Sequence, residues 1–244
     1  MQYIGIPRVF LALMLTAMMA GAGCFGHGDS PPDPLVDPDG SDFEADLRLP
    51  DPGLDGDLTL EAALEARRSL RSYSGDPLSL EDVSQLLWAA QGVTDAERGF
   101  RTAPSAGATY PLEVYVVAGR VTGLSEGVYR YDPGSHRLHV ESTEDLREDL
   151  YKAALQQAAV RNAPVVLVLT GVYERTTARY GERGVRYVYM EVGHTAQNVY
   201  LQAASLGLGT VVIGAFDDSK VQEIMDLDED EHPLYLMPVG RPDR

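Results

Sequence analysis

Cysteine is almost missing from this chain. Cys24 is the single one, so no disulfide can form within a subunit. Lysine is nearly missing too: Lys152 and Lys220 are the only two, and the rest of the basic charge is arginine. Positive charge is short overall, with 20 basic against 37 acidic side chains and a net charge of −17. A field of that sign repels nucleic acid and anionic membrane surfaces, so no nucleic-acid partner is expected. A comfortable membrane span is also lacking. The longest apolar run, Val9 to Ala22, is too short for one. Glu191 and His194 form a Glu-x-x-His pair. A diiron centre needs further carboxylates supplied by other helices, and no metal is expected.

What remains near the start is informative. Arg8, the apolar run and the small residues of Gly21-Ala22-Gly23-Cys24 have the order of a secretory segment ending in a lipoprotein-type processing box. A lipidated Cys24, an ordinary signal peptide and an uncleaved anchor stay open, in that order. The expected location is extracytoplasmic, membrane-tethered or secreted. Residues 25 to 57 are rich in Pro, Gly and Asp and poor in apolar groups, the composition of a flexible acidic tether. Its last part, Leu47 to Leu54, is expected to lie along the folded domain of residues 58–244. At 244 residues the chain has ample length for a real core.

The folded part opens on Ala66-Arg67-Arg68-Ser69-Leu70-Arg71-Ser72-Tyr73, three arginines and two serines within six residues. Leu60, Ala63 and Leu64 recur at helical spacing, which puts the cluster at the end of a short helix, with Arg67 and Arg71 on one face if the helix continues. Guanidinium forks match phosphate oxygens two at a time, so the cluster suits a phosphate. A solvated basic face is the plainer reading. Ser79-Leu80-Glu81-Asp82 is a capping box, followed by Val83, Leu86, Leu87 and Ala90 at helical spacing and Gly92 as a stop. Residues 93 to 101 read as a polar loop. Between Arg101 and Pro111, small residues flanked by prolines let a flat group approach the backbone, and a strand follows from Leu112 to Ala118.

Farther on, Gly127 to Asp132 and His136 to Val140 flank Pro133-Gly134-Ser135 as a hairpin, with His136 and His139 as exposed strand residues. Thr143 to Ala159 reads as one helix. Pro164 to Thr170 is an unbroken apolar run, a strand covered on both faces. A helix from Tyr187 to Ser205 places Glu191, His194 and Asn198 on one face. Gly207-Leu208-Gly209 closes that helix and opens a strand, the reverse of a dinucleotide-binding loop. A short helix, Asp217 to Met225, and a last strand, Leu234 to Val239, end the domain.

Taken in order, six motifs resemble the nitroreductase-like flavoproteins, and within them the SagB-type dehydrogenase branch. They are Ala66 to Tyr73, Gln85 to Gly92, Pro104 to Pro111, Glu191 to Asn198, Gly207 to Gly209 and Pro238 to Pro242. The resemblance covers about residues 50 to 242. It implies an α+β fold, a mixed sheet wrapped by helices, in an intertwined homodimer. FMN would lie at the interface, with NAD(P)H or a substrate as hydride source. Arg67, Ser69 and Arg71 would contact its phosphate and ribityl chain, with Arg68 beside them and Arg241 as a further contact. Pro104, Ser105, Ala106 and Gly107 would flank the ring of the partner's flavin; Gly207, Leu208 and Gly209 would lie near the other face. One branch oxidises azolines in peptides with a Lys-Tyr pair. Arg179-Tyr180 is the pair the resemblance puts there, with Tyr180 as the catalytic candidate. Arginine does not release its proton near neutrality, which speaks against that reaction. The resemblance leaves two functions: an FMN-dependent oxidoreductase acting on a small molecule or peptide, or a flavin-binding scaffold without turnover.

Overall fold

The computed structural model describes residues 46–243, so Cys24, the apolar run and most of the acidic tether lie outside the described residues. The described body opens with an edge strand, β1 (Asp46–Arg48), so Leu47 does lie along the domain, by pairing with it. Helix α1 (Leu60–Ala66) is capped by the Thr59 hydroxyl, which accepts from the Ala62 amide. The short strand β2 (Leu78–Ser79) leads into α2 (Leu80–Gln91). There Ser79 and Asp82 make both bonds of the capping box and Gly92 ends the helix, as the sequence indicates. The expected loop at 93–101 is instead a small hairpin, β3 (Val93–Asp95) with β4 (Phe100–Arg101). Strands of two and three residues carry too little periodicity to read.

Strand β5 (Leu112–Ala118), the short β6 (Val121–Thr122), and the hairpin β7 (Gly127–Asp132) with β8 (Arg137–Ser142) come next. His136 belongs to the turn and not to a strand: its φ is 54°. Its ring, only part-exposed, lies 2.9 Å from the Tyr131 hydroxyl and 2.8 Å from Ser84 Oγ. His139 is on β8, half-buried and paired with Asp46. The expected helix at 143–159 is broken into α3 (Arg147–Ala153) and α4 (Ala158–Asn162), with Leu155 and Gln156 at positive φ between them. Leu150 and Ala159 are both buried. At about 3.6 residues per turn they would face opposite ways on one straight helix, so the break is what lets both reach the sheet.

The chain then runs through β9 (Val165–Val172), α5 (Glu174–Tyr180), the 23-residue α6 (Arg183–Ser205), β10 (Gly209–Thr210), α7 (Asp218–Ile224) and β11 (Glu231–Gly240). Seven strands form one sheet in the order β1-β8-β7-β5-β9-β11-β10. Its registered strand pairs are antiparallel. Among the described residues, parallel pairing is confined to the Ser69–Thr210 bridge at the β10 edge and the separate β2–β6 pair, so the expected mixed sheet is mixed only at its margin.

Every residue of β9 is buried, as a strand covered on both faces requires. The period-2 alternation divides its neighbours between two cores. Val114, Val116, Leu167 and Leu169 pack with Val83 and Leu87 of α2 and Val188, Val192 and Val199 of α6. Tyr115, Val117, Val166 and Val168 face the other way, against Leu150, Val160 and Val221 of α3, α4 and α7. Each fully buried aliphatic side chain contributes about 1.5–3 kcal/mol, so α6 is held firmly enough to serve as a fixed axis for what lies on it. The outcome is the α+β architecture, a sheet with helices on both faces.

Candidate functional site

The arginine cluster is not helical. Helix α1 stops at Ala66, and Arg67 already has extended geometry (φ −53°, ψ 124°), so Arg67 and Arg71 do not share a helix face. The segment instead runs beside β10: the Leu70 amide donates to Thr210 O at 2.9 Å. The Arg67 guanidinium stacks 5.0 Å from the centre of the Tyr200 ring. Arg68 turns back and donates to the Glu65 and Arg67 carbonyls at 2.6 and 2.8 Å. Ser69 Oγ lies 2.9 Å from the Tyr200 hydroxyl, which accepts from the Val212 amide at 2.9 Å. Tyr200 thus ties the cluster to α6 and to the strand edge.

Across from the arginines, α6 ends and Gly207 takes φ 67°, a conformation that favours glycine. The turn is closed by the Leu208 amide donating to Ala203 O at 2.8 Å. Arg67, Arg68, Tyr200, Gly207, Leu208 and Thr210 line a pocket of about 170 Å³. The Thr210 hydroxyl is buried there without a hydrogen-bond partner. Gly209 is the first residue of the buried strand that follows. Among the described residues, no ion pair involves Arg67, Arg68 or Arg71. In a chain this acidic, such a cluster is an unneutralised patch of positive charge. Arg71 is exposed and stands outside the pocket lining. Arg241 is differently placed: it donates to Asp82 Oδ2 at 3.0 Å and joins the end of β11 to the start of α2.

The second group lies earlier on α6. Pro104 leads through Ser105 into a tight turn, Ala106–Ala108, in which Gly107 has φ 64°. A Cβ at Gly107 would stand 2.6 Å from the Tyr180 hydroxyl and 2.9 Å from Arg179 Nη1. Arg179 donates to the Gly107 carbonyl at 3.1 Å. The Arg179-Tyr180 pair therefore packs directly on the small-residue loop. Its arginine acts as a hydrogen-bond donor, and the Tyr180 ring meets Tyr187 edge-on. Ser105 Oγ accepts from the Tyr110 amide at 2.9 Å.

Beneath this loop is a polar network on residues that the sequence reading gave no binding role. Arg101 lies 4.4 Å over the Tyr110 ring and donates to Gln91 Oε1 at 3.1 Å. Gln91, fully buried, donates to Thr195 Oγ1 at 2.9 Å. Asn198 donates to Thr102 O at 3.2 Å. Glu191 is 2% exposed, whereas His194 is exposed, so the Glu-x-x-His pair does not act as a unit. Burial pushes the Glu191 carboxyl up to about 7, against the opposing pull of Ser105, Arg101 and the Ala106 amide. The i, i+4 pair Glu191/Thr195 on an otherwise apolar helix face was the available signal; its partners, some 90 to 100 residues away, were not.

Glu191 and Tyr200 are nine positions apart on α6, about 14 Å along its axis at ~1.5 Å per residue. The arginine cluster and the small-residue loop of one chain are thus two separate groups along one helix.

The seven-stranded sheet with helices on both faces is the α+β fold of the nitroreductase class. The Nitroreductase family profile matches residues 64–241, and the chain belongs to that family. It is 53% identical over 196 residues to MJ1384 of Methanocaldococcus jannaschii, covering 80% of this chain and 96% of that protein. It is 31% identical over 160 residues to the microcin B17-processing protein McbC of Escherichia coli, 62% of this chain and 58% of McbC. Among solved structures, Ralstonia eutropha reut_a1228 superposes with a TM-score of 0.73 at 33% identity, covering 89% of this chain and 97% of that one. The microcin synthetase McbBCD complex of E. coli with truncated pro-MccB17 gives a TM-score of 0.63 at 26% identity, covering 80% and 77%.

Proposed function

We propose that this protein is an FMN-dependent oxidoreductase working as a homodimer, each flavin held between the cradle of one subunit and the loop of the other. The supporting observation is the cradle: arginines without carboxylate partners beside a pocket lined by Arg67, Arg68, Tyr200, Gly207 and Leu208. An anionic ligand such as the FMN phosphate gives those arginines a partner, and charge-assisted hydrogen bonds of this kind contribute about 1.5–3 kcal/mol each.

Flavin supplies the hydride-carrying ring; the protein binds and orients it. On this reading Arg67, Arg68 and Ser69 hold the phosphate end, and Arg71, exposed and outside the pocket lining, adds positive charge nearby. Pro104 to Gly107 form a flat wall, and Gly207 to Gly209 bring backbone close on the other side. Arg241, already donating to Asp82, braces the cradle. Tyr180, whose hydroxyl borders Gly107, is the proposed proton holder for the substrate. Arg179, donating to the Gly107 carbonyl, positions the loop and is no base. The substrate is a small molecule or a peptide; the McbC relationship favours a peptide, without requiring azoline oxidation. Reduced nicotinamide is the proposed electron donor if the protein meets it. A tether through Cys24 would place it where another donor is needed.

Protein purified with added FMN should be yellow and bleach with dithionite, then with NADH or NADPH if nicotinamide is the donor. Colourless protein after FMN loading overturns the proposal. Yellow protein that no donor or acceptor turns over supports the scaffold reading instead.

A further inference from the structure

Glu191 stands out among the buried groups to which the proposed chemistry gives no task. It sits on α6 between Val188, Val192 and Thr195, all buried, and is itself 2% exposed. Its Oε1 has no hydrogen-bond partner. An ionised carboxylate so placed is costly, and a protonated one has an unused donor. Over it lies the loop that forms the proposed ring wall, with the Ser105 hydroxyl and the Ala106 amide drawn toward the carboxyl. Ser105 Oγ accepts from the Tyr110 amide at 2.9 Å, which leaves its own hydroxyl proton to be donated toward α6.

Resting on the flavin-site reading above, we infer that Glu191 is a positioning residue for the Pro104–Gly107 wall, and that gain or loss of its proton shifts the wall between two hydrogen-bond arrangements and so tunes the flavin bound against it. As a carboxylate, Glu191 accepts from Ser105 and Ala106 and draws the wall toward α6. As an acid, it is a weaker acceptor with a proton of its own to place, so its pull on Ser105 and Ala106 relaxes while Ser105 keeps the bond from the Tyr110 amide. The change falls in the neutral range, because burial brings the carboxyl to about 7.

The charged and titratable surroundings are few. Arg101, from β4, favours the carboxylate. Behind Arg101 the Arg175–Glu113 ion pair joins α5 to β5, with Tyr110 beneath it. From α2 comes only the neutral Gln91, and on α6 itself His194 is exposed. None of these replaces Glu191 as a group that titrates against the loop.

The test uses the full chain loaded with FMN and follows the visible absorption of the oxidised flavin as pH is varied. Wild type should show an inflection near pH 7. Glu191→Gln, which keeps the size and a donor, should retain flavin and lose the inflection. Ser105→Ala, which removes a group that lowers the carboxyl's pKa, should move it to higher pH. An inflection that survives in Glu191→Gln, or a flavin-loaded wild type without one, overturns this inference and leaves the flavin site standing. A wild type that binds no flavin overturns both.

Discussion

The two ends of the proposed flavin site, both packed along α6, are built in opposite ways. At the C-terminal end the cradle is open, cationic and unpaired: Arg68 and Ser69 are exposed, and among the described residues no carboxylate neutralises the arginines. Nine residues earlier the loop rests on a buried, largely satisfied network, with Gln91 and Glu191 almost wholly enclosed. Exposed arginines form strong bonds only when an anion arrives and water leaves, so the cradle suits the tail of a ligand that must bind and fix its register. A buried network is costly to rearrange, so the loop suits the reactive end, where geometry matters more than charge. Affinity should therefore reside at one end and tuning at the other.

Four changes would break or sharpen that contrast. The largest is the pair Arg67→Ala with Arg71→Ala. Losing two charge-assisted contacts should weaken FMN binding by about 3 kcal/mol or more, over a hundredfold, in a flavin fluorescence titration. Unchanged affinity would remove the cradle from the account.

Glu191→Gln should act on stability rather than on affinity. The folded protein raises this carboxyl from 4.5 to about 7, so it binds the proton more readily than the unfolded chain does. Its stabilising effect is complete below pH 4.5 and is lost as pH rises to about 7. The variant lacks that loss. Relative to wild type it should gain up to about 3 kcal/mol between those limits, in denaturant melts at a series of pH values. A constant offset between the two proteins would show that Glu191 does not titrate there.

Next comes Gly107→Ala. Its positive φ and the close Tyr180 hydroxyl make a methyl group costly, by about 1–3 kcal/mol in thermal unfolding, with flavin spectra disturbed. The smallest effect belongs to Ser69→Ala. Loss of its contact with Tyr200 should cost about 1 kcal/mol, with FMN affinity falling less than for the arginine pair.

The same contrast explains what could be read in advance. The cradle lies within one short sequence motif, and Gly207 marks a helix end by a local rule, so both were legible from residue types. So were the capping box of α2 and the uninterrupted apolar run of β9. The extended course of Arg67 to Tyr73 was not, because it follows from pairing with Thr210, some 140 positions away. Nor was the break between α3 and α4, which is set by which faces must meet the sheet. The network under the loop was hidden for the same reason: Gln91 meets Thr195 across 104 positions, and neither residue is unusual where it stands.

Mixed dimers test the central claim most directly. One subunit carries Arg67→Ala with Arg71→Ala, and the other carries Ala106→Trp to block the wall. If each flavin lies between the cradle of one copy and the loop of the other, the mixed dimer keeps one intact site and should bind one FMN per dimer, while both parent dimers bind none. A mixed dimer as empty as its parents would mean that a single chain builds the whole site, and would contradict the account.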